Sequence, residues 1–303
     1  MNLKVNTIQF TRSQVIKHVF PIFATSARTV VNLSYKIIGQ GHSDPDEPPL
    51  LILHSLLGSK KRWKNMGKTI MNITKRSVVT VDLRNHGDSP HVSSHKYEDL
   101  SSDVLRLYER LGIERAVVVG HDMGARCAMC LSLKMPKKVS SLLLVDMSPV
   151  STPAQYNEYE NMLKAMKAVD FKNSKSVSKA VKEARKQLKR VIEDDAVMAA
   201  VLSNVRLRDD GSINWCCNLD VLIKYFKHIA SFPKPLKTKK FYGPTFFIGG
   251  QYSEFLPPDD LIGIREMFPN AVINYIPKSG HYVHLDDPKT FLELTIAFLK
   301  TQH

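Results

Sequence analysis

Short runs of consecutive apolar residues alternate along most of this chain with stretches in which apolar side chains recur every three or four positions. A run that is apolar without alternation is what a strand buried on both faces requires. Such runs occupy 30–38, 50–54, 77–82, 116–120, 141–145, 245–248 and 272–275. Helical spacing predicts a helix over 101–111 with Val104, Leu107 and Leu111 on one face. It predicts another over 259–268 through Leu261, Ile264 and Phe268, and a last one over 288–299 through Phe291, Leu294 and Phe298. This alternation predicts an α/β fold, a mostly parallel central sheet flanked by helices.

From 151 to 240 the alternation stops and only helical periods remain. The clearest covers 174–192, where Val177, Val181, Ala184, Leu188 and Ile192 share a face. Lys175, Lys179, Lys182, Arg185, Lys186, Lys189 and Arg190 cover the rest. The pattern predicts a helical lid over 151–240, inserted between two parts of one core, 30–150 and 241–303, with 234–242 as the returning linker. A helix this basic suits peripheral contact with anionic lipid or an acidic partner, although a solvated lid helix carries the same pattern.

Composition narrows the picture. With 43% apolar and 24% charged residues, 303 residues suffice for one large globular core plus a lid. No run reaches the roughly 18 apolar residues that a membrane span needs. The net charge is +14, and Lys4, Arg12, Lys17 and Arg28 all precede the first acidic residue, Asp44. A basic, acid-free leader over 1–29 predicts a mitochondrial transit segment. Cys127, Cys130, Cys216 and Cys217 are too few for a disulfide scaffold, and the C-x-x-C pair has no second ligand pair at zinc spacing. Cys127 and Cys130, in a predicted helix after residue 124, read as reduced core cysteines.

The strongest chemical signal is Gly120-His121-Asp122-Met123-Gly124, in which a buried strand runs through a sharp turn into a helix. In a G-x-nucleophile-x-G elbow the middle side chain is presented at the top of the sheet. Serine is usual there; this chain has Asp122. Ser279-Gly280-His281 follows the last strand and offers His281 as general base, with His284 as a rival. For the acid that orients the base, Asp146 stands at the end of the 141–145 strand. Asp220, in the lid, is the alternative, and Glu254 falls late in its loop. The loop His54-Ser55-Leu56-Leu57-Gly58-Ser59 places the backbone N–H of Leu56 beside that of Met123 as an oxyanion hole, each donor being typically worth about 3 kcal/mol in a transition state. Asp88 and Ser89, in the shaped loop after the third strand, read as structural. No phosphate-cradling loop or metal set is present, so no cofactor is implied.

The elbow and the His54–Ser59 loop, together with Arg84-Asn85-His86-Gly87-Asp88-Ser89-Pro90-His91 and Gly280-His281-Tyr282-Val283-His284, resemble the mitochondrial α/β-hydrolase-domain protein 11 family and its small bacterial esterase relatives. The resemblance spans nearly the whole chain after Val30. It implies an α/β-hydrolase fold, serine-esterase and diacylglycerol-lipase activity, and association with the mitochondrial 2-oxoglutarate dehydrogenase complex. It also implies the nucleophile position for Asp122, the base position for His281, and an acid at Asp146 or Asp220. This chain departs from the pattern at Ser55, where glycine is usual, and at Asp122.

An aspartate attacking an ester would form a mixed anhydride, whereas carboxylate nucleophiles suit sp³ carbon. Three readings follow, in this order: a hydrolase of carboxylic esters or lipids weakened by Asp122, a catalytically silent binding protein, and an epoxide hydrolase or dehalogenase. The last wants lid tyrosines, and Tyr156, Tyr159 and Tyr225 lie in the lid without a spacing that singles any of them out.

Overall fold

The computed structural model describes residues 29–301 apart from 40–43, 45, 46 and 173, so all of the basic leader except Thr29 lies outside the described residues. Seven strands form the main sheet: β1 (Ser34–Ile38), β2 (Leu50–Leu53), β3 (Val78–Asp82), β4 (Ala116–His121), β5 (Val139–Val145) and two C-terminal strands over Thr245–Gly250 and Ala271–Ile276. The order across the sheet is β1-β3-β2-β4-β5, then Thr245–Gly250 and Ala271–Ile276. Only β1 runs antiparallel. Successive side chains serve opposite faces. Leu51, Leu53, Val79, Val81, Val118 and Leu142 enter one core; Leu50, Ile52, Val78, Val117 and Leu143 enter the other.

Helices α1 (Lys64–Thr74), α2 (Tyr97–Leu111) and α3 (Met123–Lys134) belong to the first half of the core. The lid follows as α4 (Tyr156–Ala168), α5 (Val177–Leu188), α6 (Asp195–Leu202), a hairpin of β6 (Val205–Leu207) and β7 (Ile213–Trp215), α7 (Leu219–Lys224) and α8 (Phe226–Ala230). The chain then returns through β8 (Thr245–Gly250), α9 (Leu261–Met267), β9 (Ala271–Ile276), the short α10 (Val283–Asp286) and α11 (Pro288–Lys300). Among the described residues, no helix is long and apolar enough to cross a membrane.

Two elements depart from the pattern of the sequence. The lid contains the antiparallel hairpin β6–β7, where only helices were expected. Its strands are three residues each, too short for alternation to stand out; the turn between them holds Gly211 at φ 80°. Helix α1 adds to the predicted elements: Met66, Ile70 and Ile73 stand at helical spacing in it, and Met66 and Met71 pack against the core around Ile70. In addition, β1 begins at Ser34 rather than residue 30. Val31 instead donates its backbone N–H to Asp103 Oδ1 at 2.9 Å.

That carboxylate belongs to a buried pair. Arg84 Nε meets Asp103 Oδ2 at 2.6 Å and Arg84 Nη2 meets Oδ1 at 2.7 Å, a bidentate fork shut off from water. The guanidinium also reaches the carbonyls of Thr29 and Ser94. Removing one member of such a pair strands the other charge in the interior. Asp103→Ala is therefore expected to cost about 3–5 kcal/mol. An Arg84→Met/Asp103→Leu double variant should cost clearly less, as measured by urea unfolding.

Candidate active site

The elbow forms because two glycines let backbone segments touch. A Cβ on Gly120 would lie 2.6 Å from the backbone of Ala125, and one on Gly124 would lie 2.6 Å from the carbonyl oxygen of His54. Between them Asp122 takes φ 51°, ψ −117°, a conformation that costs of order 1–3 kcal/mol and persists only where its surroundings enforce it. Here β4 and α3 enforce it from either side. The carboxylate is buried and held at both oxygens: Leu56 donates its backbone N–H to Oδ2 at 2.9 Å, and Tyr156 donates its hydroxyl to Oδ1 at 2.8 Å.

Across the cavity His281 and Asp146 form a dyad, with His281 Nδ1 2.7 Å from Asp146 Oδ2. Asp146 stands at the end of β5 with φ 46° and is fully buried. Its oxygens also accept from the Gly250 backbone N–H at 3.0 Å and from the Ser253 hydroxyl. The loop after β8 thus supplies donors to the acid rather than an acid of its own. Phe255 stacks on the His281 ring with centroids 3.9 Å apart. Burial pulls the His281 pKa down, but the hydrogen bond and charge of Asp146, with the charge of Asp122, outweigh it and leave it above 6.5.

Three neutral histidines brace the loop over the elbow. His54 donates from Nδ1 to the Ser55 carbonyl (2.7 Å) and accepts the Leu83 N–H at Nε2 (2.9 Å). His86 donates from Nδ1 to the Arg84 carbonyl (3.0 Å) and accepts the Leu57 N–H at Nε2 (3.2 Å). His95 Nε2 lies 3.3 Å from Met123 Sδ, and its Nδ1 faces the Asn85 amide. An imidazole that accepts at one nitrogen must be uncharged. Burial accordingly lowers all three pKa values, that of His86 to about 3.

The lid closes from above. Beneath Tyr156 lies Arg126, wholly buried, its guanidinium 5.8 Å from the ring. Its donors all go to carbonyls: Nε and Nη2 to Ser148, Nη2 also to Ser151, and Nη1 to Ile229 and Ala230. Those carbonyls belong to the two ends of the lid. Asn204 donates to the Leu57 carbonyl at 2.8 Å, tying the lid to the oxyanion loop, and the Asn218 N–H donates to the Asn85 carbonyl at 2.9 Å, tying it to the 84–91 segment. The space left between Leu56, Asp122, Tyr159, Met162, His281 and Tyr282 is about 10 Å³, room for roughly one water.

Leu56, Met123, Asp122, His281 and Asp146 thus lie together. Asp220 does not: it is exposed on α7 and paired with Lys167, so the alternative acid is set aside, because a strand-end carboxylate already occupies the outer nitrogen of His281. Glu254 is exposed, and His284 is buried against Trp63, rings stacked at 4.4 Å, with its pKa pushed down to about 3 by burial. Tyr225 packs with His228. Asp88 and Ser89 make structural contacts, to Lys60 and Arg206 and to β1 and β3. The cysteines are free, Cys127 and Cys130 lying inside α3. The role of Arg126 went unread, although an arginine in the otherwise small, apolar start of α3 was a visible signal.

A family model described as the alpha/beta hydrolase fold matches residues 48–288. The chain is 37% identical over 268 residues to the mouse sn-1-specific diacylglycerol lipase ABHD11, covering 88% of this chain and 85% of that one. The protein of the same description from Danio rerio is 36% identical over 271 residues, covering 89% and 83%. Among solved structures, a marine microorganism esterase superposes with a TM-score of 0.77 at 28% identity, over 88% of this chain and 99% of that one.

The histidines set the response to acid. For His54, His86, His95, His121 and His284 the folded pKa is depressed, so below 6.5 the unfolded chain binds more protons than the folded one. Stability is therefore expected to fall as pH drops below 6.5, the loss from His86 and His284 continuing to about pH 3. His281 acts oppositely, its contribution being lost as pH rises through its raised pKa. Urea unfolding at a series of pH values checks the slope, and His284→Phe should flatten it.

Proposed function

From the chain's membership of the α/β-hydrolase fold family, among relatives of the ABHD11 lipases, we propose that it hydrolyses carboxylic esters of lipid type such as acylglycerols, with His281 and Asp146 as the working base. The observation that carries this reading is the 2.7 Å His281–Asp146 pair facing the elbow beside an oxyanion-loop N–H. His281 takes a proton from water, and the water oxygen adds to the ester carbonyl carbon. The resulting oxyanion takes the N–H groups of Leu56 and Met123 once the Asp122 carboxylate has swung off Leu56. The C–O bond then breaks, and the departing alkoxide receives the proton from His281. Asp122 thus slows an ester hydrolase, since it occupies a donor that the substrate oxygen needs and offers no acyl-stable attack of its own.

A second reading is favoured by the two hydrogen bonds on Asp122. With Oδ2 on the Leu56 N–H and Oδ1 turned to a lid tyrosine, the carboxylate is oriented like a nucleophile for sp³ carbon. Oδ1 would open an epoxide, the ring oxygen taking its proton from Tyr156 or Tyr159. Water deprotonated by His281 would then add to Asp122 Cγ; the Cγ–O bond to the substrate breaks, the departing alkoxide takes the proton from His281 to give the diol, and the proton of the Asp122 carboxyl returns to the tyrosinate. In either reading we propose a mitochondrial setting from the basic leader. The exposed lysines of α5 are proposed as a peripheral contact with anionic lipid, and association with the 2-oxoglutarate dehydrogenase complex is proposed from family resemblance alone.

The test uses purified protein with a short acyl ester, a diacylglycerol and an epoxide, beside Asp122→Ser, Asp122→Asn and Asp146→Asn. Ester turnover is expected in the natural chain, rising about 10²-fold or more in Asp122→Ser and falling roughly 10³-fold in Asp146→Asn. Its acid-side pH limb, where protonation of His281 removes the base, should sit above 6.5 and move down in Asp146→Asn, because that carboxylate holds the His281 pKa up. Ester turnover that emerges only in Asp122→Ser rejects the first reading. Epoxide turnover abolished in Asp122→Asn establishes the second, and silence from every variant favours a binding protein on a hydrolase fold.

A further inference from the structure

The catalytic cavity holds about one water, yet a lipid ester must place a chain somewhere. A second cleft of about 450 Å³ opens from the surface between α4 and the turn that leads into α6. Its inner wall is made by Tyr159, Met162 and Val197, and the same three side chains wall the catalytic cavity. Ile192 continues the apolar lining outward. At the outer rim stand Glu158, Glu193 and Asp194, all exposed and, among the described residues, without an ion-pair partner. The cleft lies within the 300–1,000 Å³ range of small-molecule sites.

We propose that this cleft is the subsite for the apolar chain of the substrate, joined to the catalytic cavity by displacement of Met162 against Val197. The inference rests on the hydrolase reading above, and it names the chain as a medium-length alkyl or acyl group. The partition is suited to moving. Met162 is an unbranched thioether buried at the junction, able to repack without breaking a hydrogen bond, and methionine adapts to irregular space. Val197 sits in the first turn of α6, which Asp194 caps by accepting the Val197 N–H at 2.8 Å. The valine side is thus the fixed jamb and the methionine side the door. The carboxylates at the rim bound the subsite: a methylene chain that extends past Ile192 emerges among charged, hydrated groups and gains no further burial. Chain-length preference should therefore plateau rather than rise indefinitely.

The experiment measures kcat/KM for p-nitrophenyl acetate and octanoate in the natural protein, Met162→Ala and Val197→Trp, and the binding of 1-octanol by calorimetry. Met162→Ala is expected to raise the octanoate-to-acetate ratio about tenfold, and Val197→Trp to lower it about tenfold and weaken octanol binding in parallel. Val197→Phe serves as the milder blocking change if the tryptophan variant does not fold. Ratios within about twofold of the natural protein in both kinds of variant, or octanol binding indifferent to the blocking change, overturn the inference. If no ester is turned over while octanol binding is lost on blocking, the chain subsite stands and the ester reading falls.

Discussion

Everything at the site hangs on the turn at Asp122. A strand at the middle of the sheet must reverse into a helix within a few residues, and backbone atoms of Gly120, Gly124, Ala125 and His54 then lie too close for any side chain between them. The crowding fixes where the side chain of residue 122 emerges. It also brings the 54–59 loop against the start of α3, where the Leu56 N–H meets the Asp122 carboxylate. The buried histidines follow from the same constraint. A loop wedged there has N–H groups that water cannot reach, and neutral imidazoles are short, rigid acceptors that satisfy them.

Most of the sheet was legible because strands buried on both faces leave an unbroken apolar record, and strand-ends mark where chemistry collects. Asp146 could be chosen on that ground, and His281 on the glycine before it. The segment Arg84–His91 was readable only as a resemblance. Its physical meaning is distributed, since Arg84 finds Asp103, His86 finds Leu57, and Asn85 is met by Asn218 from the lid. None of those separations has a periodicity. The hairpin β6–β7 was hidden by its brevity. Choosing Tyr156 over Tyr159 and Tyr225 required knowing which turn of α4 overlies the elbow, which is a matter of tertiary packing.

The aspartate has consequences beyond the loss of a hydroxyl. A serine offers one oxygen to the base; the carboxylate has two, and both are claimed by groups other than His281. The His281–Asp146 pair is left intact, while the Leu56 N–H is engaged from within the chain. Base and anion stabiliser, which work together on one substrate oxygen when a serine stands at the elbow, are here uncoupled in the resting molecule. In the proposed ester reaction, turnover depends on how readily the Asp122 carboxylate rotates off Leu56.

Arg126 makes the lid a cassette. By holding Ser148 and Ser151 on one side and Ile229 and Ala230 on the other, it joins the points where the insertion leaves and rejoins the core. The insertion is held to the core again further along, where Asn204 reaches the Leu57 carbonyl and the Asn218 N–H reaches the Asn85 carbonyl. A lid exchanged between the clasped carbonyls would have to keep Asn204 and Asn218 as well as the arginine that fastens its base.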